Sequence, residues 1–128
     1  MNYAGHGSVN VWRGNVFNST DALQLQNREH LTVFVIMNCL NGYFQDPALD
    51  SLAESLLKSP EGGAVAVWAS SSMTFAEGQA VMNPEFYRQV FSVRARLGDA
   101  AMRAKAKTFD GDVRRTWILL ADPTMRLK

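Results

Sequence analysis

Apolar positions along this chain gather into a few dense runs, separated by stretches rich in asparagine, serine and glycine. The run Leu31-Thr32-Val33-Phe34-Val35-Ile36-Met37 is apolar on both alternating faces and rich in β-branched and aromatic residues. A half-exposed strand alternates apolar with polar; a strand apolar throughout belongs in the centre of a sheet covered on both sides. Ala64 to Ala69 repeat the pattern before Ser70-Ser71-Ser72 break it into a loop. Trp117 to Leu120 make a third strand, closed by Asp122-Pro123.

Between the strands the period lengthens to that of a helix. Leu49, Leu52, Ala53, Leu56 and Leu57 share one helical face. Ser51 and Glu54 stand at capping-box spacing, and Pro60 with Gly62-Gly63 ends the segment. Asn83-Pro84-Glu85 is an N-cap, first-position and first-turn signal, which predicts a helix opening there with Phe86, Tyr87, Val90 and Phe91. A further helix is predicted from about Arg94 to Lys107, with Leu97, Ala100, Ala101 and Ala104 inward and its basic side chains in water. Residues 8 to 30 read as a loop with a short helix around Asp21 to Gln26. The five residues before His6 are too few and too polar for a buried strand. Strand, helix, strand, helices, strand predicts one α/β domain around a mainly parallel sheet.

Composition narrows the function classes. The chain has 128 residues, 47% hydrophobic and 20% charged, which suits a packed core. Folding at this length buries roughly two-thirds of the unfolded surface. Thirteen basic and 12 acidic residues give a net charge of +1, which argues against nucleic acid or an anionic membrane as the main partner. No apolar run approaches the ~20 residues of a membrane span. Met1 is followed at once by the His6 turn, with no basic-then-apolar leader of a signal peptide. A single cysteine forms no internal disulfide and leaves the compartment open.

That cysteine, Cys39, directly follows the first buried run, in Asn38-Cys39-Leu40-Asn41-Gly42. Sites in open α/β sheets gather at the carboxyl ends of strands, so Cys39 and the serine-rich loop fall on one edge. His6 lies in Gly5-His6-Gly7-Ser8. A thiol at a strand tip and an imidazole in a glycine-rich turn are the parts of a cysteine nucleophile with its acid/base partner. Asn41 and Gly42 permit a sharp turn after the thiol, and Gly7 lets the backbone approach a substrate. The backbone amides of Gly7 and Cys39 are candidate donors to an oxyanion. The plainer reading of each residue stands beside this one. A lone cysteine after an apolar strand often serves as a small core hydrophobe. His30, between Arg28-Glu29 and Leu31, reads as a solvated surface residue, and two histidines with one cysteine at no close spacing make no metal signature.

Taken in order, several segments resemble the gingipain family of cysteine peptidases. They are Gly5-His6-Gly7-Ser8, Asn38-Cys39-Leu40-Asn41-Gly42, Ser51-Leu52-Ala53-Glu54, Gly62-Gly63-Ala64-Val65-Ala66, Phe86-Tyr87 and Ala121-Asp122-Pro123-Thr124-Met125-Arg126-Leu127. The resemblance implies a caspase-like three-layer sandwich, with residues 1–128 forming the carboxyl-terminal part of a peptidase domain that lacks its first strands. It implies Cys39 as nucleophile, His6 as catalytic histidine, and Gly7 and Cys39 as backbone oxyanion donors. It further implies that the loop from Trp68 to Thr74, with Trp68, Ser70 and Ser71 in it, walls the pocket that receives the residue before the cut. The reaction implied is cysteine-type endopeptidase acyl transfer on a protein or peptide, with no cofactor and no catalytic metal. The implied location is extracellular or at the cell envelope. The family's acid that orients the histidine lies upstream of this stretch; within it, Asp21 is the one conceivable substitute. The strand 31 to 37 is expected to expose an edge open to self-association or to the missing amino-terminal half. Two alternatives remain: a transpeptidase using the same dyad, and a non-catalytic remnant or interaction module.

Overall fold

A computed structural model describes residues 1–127 as three layers, helices on either side of one four-stranded sheet. The buried run forms strand β4 (Thr32–Met37), and the second forms β5 (Ala64–Ser70), paired parallel to it. The last, β6 (Trp117–Ala121), pairs antiparallel to β5 and makes one edge. The expected mainly parallel three-layer architecture is therefore observed, with one antiparallel edge strand.

The opposite edge corrects the sequence reading. Asn2–Ala4 form a strand, β1, parallel to β4 in the register Asn2 with Val35, Tyr3 with Ile36 and Ala4 with Met37. Its side chains are mostly exposed, so polarity did not prevent pairing; the backbone of β4 supplies the hydrogen bonds. The edge of the sheet is thus β1 and not β4. A second departure follows at once: Gly7–Ser8 (β2) and Val11–Trp12 (β3) form a small antiparallel hairpin where a loop was expected.

On one face of the sheet lie α1 (Ser19–Leu23) and α2 (Leu52–Lys58), over Phe34, Ile36, Val67 and Ala69. Helix α2 begins with the expected capping box: the Glu54 amide bonds the Ser51 hydroxyl, and the Glu54 carboxylate accepts from the Ser51 amide at 2.9 Å. Leu52, Ala53 and Leu56 are buried; Leu49 and Leu57 are not, because Leu49 precedes the helix and Leu57 faces water. On the other face lie α3 (Ala76–Tyr87) and α4 (Leu97–Lys105), with α5 (Gly111–Thr116) leading into β6. Their core holds Val35, Met37, Trp68, Met82, Phe86, Leu97 and Trp117.

Helix α3 overturns the reading of Asn83-Pro84-Glu85 as a helix start. Pro84 sits inside a helix that begins eight residues earlier at Ala76 and continues beyond Tyr87 as a π-helical turn, Arg88–Ser92. Proline removes one helical donor and crowds the preceding turn. Glu85 bonds Arg88 (2.7 and 2.9 Å) and Gln89 (2.6 Å), and Arg103 of α4 bonds Gln89 at 3.0 Å. These contacts tie the irregular turn to α4.

Candidate active site

Strands β1 and β4 are parallel neighbours, so both deliver their following residues to one edge of the sheet. Beyond β1 comes Gly5-His6; beyond β4 comes Asn38-Cys39. The Gly5 amide donates to the Met37 carbonyl at 3.1 Å, carrying the parallel pairing to the brink of both turns.

The His6 turn is fixed through its backbone. The His6 carbonyl accepts from the Tyr3 hydroxyl and from the Arg13 amide, both at 2.9 Å. Tyr3 is itself stacked on Trp12, ring centroids 3.9 Å apart and planes within 3°. The Arg13 bond makes Gly7 and Trp12 a non-hydrogen-bonded pair of the hairpin, which directs the Gly7 amide away from β3. The His6 ring is exposed, and among the described residues it makes no hydrogen bond. Asp21 does not serve it: its carboxylate accepts from the Asn18 amide at 2.9 Å and caps α1.

The thiol turn is fixed by buried amides. Asn38 donates to the Asn41 side chain, whose own amide donates to the carbonyls of Ser8 and, at 3.4 Å, Val9. Asn41 therefore joins the nucleophile loop to the hairpin that carries Gly7. The positive φ of this turn falls on Leu40, at 65°, so Asn41 acts through its side chain and not by adopting the left-handed backbone. Gly7 has no room for more: a Cβ there would collide with the Asn38 amide and stand 3.0 Å from Asn41 Oδ1.

Cys39 is half-buried, and its thiol donates to the Thr74 carbonyl at 3.4 Å. Gln79, nearly buried on α3, bonds Thr74 Oγ1 at 2.9 Å and holds this segment in place. His6 and Cys39 open onto one cleft of about 680 Å³, floored by Met37 and walled by residues 73 to 76 and by α3.

The remaining expected site residues lie elsewhere. Trp68 is buried between Phe86, stacked at 5.2 Å, and Trp117 at 6.2 Å. It pairs with Val35, two positions below Met37, which sets it under α3 and away from the cleft. The Ser70 hydroxyl donates to the Ser72 carbonyl and the Ser71 hydroxyl to the Thr116 carbonyl, each at 2.9 Å, and both residues are buried. The end of the expected Trp68-to-Thr74 wall does reach the cleft, at Met73 and Thr74, and Phe75 extends it. His30 is exposed, as expected.

The model of peptidase family C25 matches residues 1–128. The chain belongs to peptidase family C25. Gingipain R2 of Porphyromonas gingivalis is 29% identical over 143 residues, covering 100% of this chain and 19% of the relative. The crystal structure of the Arg-specific cysteine proteinase gingipain R superposes with a TM-score of 0.80 at 25% identity, over 99% of this chain and 33% of that one. A complex of the pro- and mature domains of the Porphyromonas gingivalis proteinase RgpB gives 0.72 at 25% identity, with the same coverage. This C25 chain thus spans about a fifth to a third of the relatives it matches. Its fold is the gingipain, caspase-like arrangement expected from the motifs. Among the described residues no helix is long and apolar enough to cross a membrane.

Proposed function

We propose that this C25 chain carries the Cys39–His6 dyad of a cysteine endopeptidase. The observation behind the reading is the shared cleft, onto which a thiol and an imidazole open from adjacent parallel strand ends; the Gly7 amide, next in the chain after His6, is turned away from β3. In the reaction, Cys39 Sγ bonds the scissile carbonyl carbon while its proton passes to His6. The amides of Gly7 and Cys39 stabilise the oxyanion. The C–N bond breaks, the amine leaves with the proton from His6, and a thioester remains. Water then adds to the thioester, His6 takes its proton, and the acid departs as the thiol is restored. The substrate is a protein or peptide. The family resemblance supports a place of action outside the cytoplasm, in the medium or at the cell envelope.

The test is the rate of Cys39 alkylation by iodoacetamide across pH, in the native chain and in His6→Ala. A profile that His6→Ala displaces, with labelling at neutral pH slowed about tenfold or more, supports an assembled dyad. A thiol indifferent to His6 refutes it.

A further inference from the structure

Gln79 is a polar residue where α3 otherwise turns apolar side chains inward. It is 6% exposed and shares its face of the helix with the buried Met82 and Phe86. A buried amide costs stability unless it is hydrogen-bonded. Its Nε2 donates to Thr74, to Oγ1 at 2.9 Å and more loosely to the backbone carbonyl at 3.4 Å. The same carbonyl receives the Cys39 thiol, also at 3.4 Å.

That contact completes a series. Carbonyls of alternate residues in the loop after β5 accept from the turn that carries the thiol. Ser70 accepts from the Gly42 amide at 2.8 Å, Ser72 from the Leu40 amide at 3.3 Å, and Thr74 from Cys39 Sγ. Ser70 and Ser72 are fastened to each other, hydroxyl to carbonyl at 2.9 Å and amide to hydroxyl at 3.2 Å. Thr74 is fastened from α3, by Gln79.

We propose that Gln79 is a positioning residue for the Cys39 thiol, acting through Thr74. By fixing the Thr74 carbonyl it holds the sulfur in one orientation and keeps the thiol proton on the loop at rest. A thiol has one proton to donate, and a hydrogen bond from it favours the uncharged form. His6, whose ring makes no hydrogen bond among the described residues, receives the proton only when the bond to Thr74 is given up. The assignment rests on the dyad reading for its meaning in catalysis. Among the described residues that line the cleft, His6 is the one titratable group besides Cys39; Glu77, in the first turn of α3, is exposed and outside that lining.

The experiment measures iodoacetamide alkylation of Cys39 across pH in the full chain and in Gln79→Met, Thr74→Val, Thr74→Ser and His6→Ala. Methionine matches glutamine in length and helix preference without the amide, and valine matches threonine in shape without the hydroxyl. Gln79→Met and Thr74→Val are each expected to move the midpoint of the profile to lower pH, with labelling at neutral pH faster by about threefold. Thr74→Ser, which keeps the acceptor, is expected to restore the native profile. Looser packing alone would raise the rate by one factor at every pH and leave the midpoint in place. Thr74 is half-buried, so Thr74→Val decides the matter if Gln79→Met fails to fold. A midpoint unmoved in either folded variant, or moved as far in Thr74→Ser, overturns the assignment, while the response to His6→Ala still reports on the dyad separately. Moved midpoints with indifference to His6 refute the dyad and leave Gln79 acting on the thiol.

Discussion

The side chain of Asn41 donates to the carbonyl of Ser8, and this one amide couples the turn bearing the thiol to the hairpin that follows His6. It also receives the Asn38 amide, so Cys39 stands between two buried asparagines that fix each other. Replacing Asn41 by Ala leaves the buried Asn38 amide without its partner. The expected loss is about 1–3 kcal/mol, the range for a buried polar group left unsatisfied. Urea unfolding measures the stability. Iodoacetamide kinetics are expected to show Asn41→Ala losing most of the dependence on His6, because the two turns are no longer held in register.

Gly7→Ala places a methyl group against the Asn38 amide. The collision cannot be relieved by rotation of a free side chain, since Asn38 is buried and bonded to Asn41. Overpacking of this kind costs about 1–3 kcal/mol. Gly5→Ala is the instructive control, because its new methyl meets the Tyr3 ring and hydroxyl instead and leaves the asparagine pair alone. If Gly7→Ala melts at the native temperature, the close approach described here is wrong.

Stability should respond to acid through Glu85. Hydrogen bonds from Arg88 first, then Gln89, hold its carboxyl at about 2, against an ordinary 4.5. A carboxyl that ionises more readily when folded contributes its stabilisation in full above the unfolded value. That contribution is lost as pH falls from about 4.5 towards 2. Denaturant midpoints measured across this window should therefore drop more steeply in the native chain than in Glu85→Gln. Parallel curves would exclude the role given to Glu85.

Trp68 separates core from site. Its indole stacks on Phe86 and meets Trp117 at a tilt. Trp68→Ala is expected to cost about 3–5 kcal/mol, as for other large aromatics truncated in a core. The milder Trp68→Phe should lower the melting temperature while keeping the His6 dependence of Cys39 alkylation unchanged. A changed dependence with unchanged stability would return Trp68 to the cleft wall.

What the sequence made legible were the features in which side chains alone decide. β4 and β5 are apolar on both faces, α2 carries its capping box, and Cys39 follows a buried strand, so each could be read locally. β1 could not, because Asn2, Tyr3 and Ala4 pair through backbone groups whose partner lies more than thirty residues away. The start of α3 was hidden because Ala76 has no side-chain cap, while Asn83-Pro84-Glu85 imitates one in mid-helix. His6 and Cys39 were found by motif and reach one cleft. Met73 and Thr74 line the cleft within the wall implied by resemblance, while Phe75 falls just beyond it, since exposed apolar residues in a loop show no period. The Asn41-Gly42 pair signals a turn in the sequence, whereas Asn41 acts through its side chain and Leu40 takes the positive φ.

The two turns of the cleft are anchored in unequal company. Cys39 leaves a six-residue strand flanked by neighbours on both sides, while His6 leaves a three-residue strand at the rim of the sheet. Rim strands open by local fluctuation far more easily than the whole molecule unfolds. Amide exchange should accordingly be fast from Tyr3 to Gly5 and slow from Phe34 to Met37. On heating, the imidazole would drift from its place before the core melts, so any chemistry that needs both groups would fade at temperatures where the protein still counts as folded.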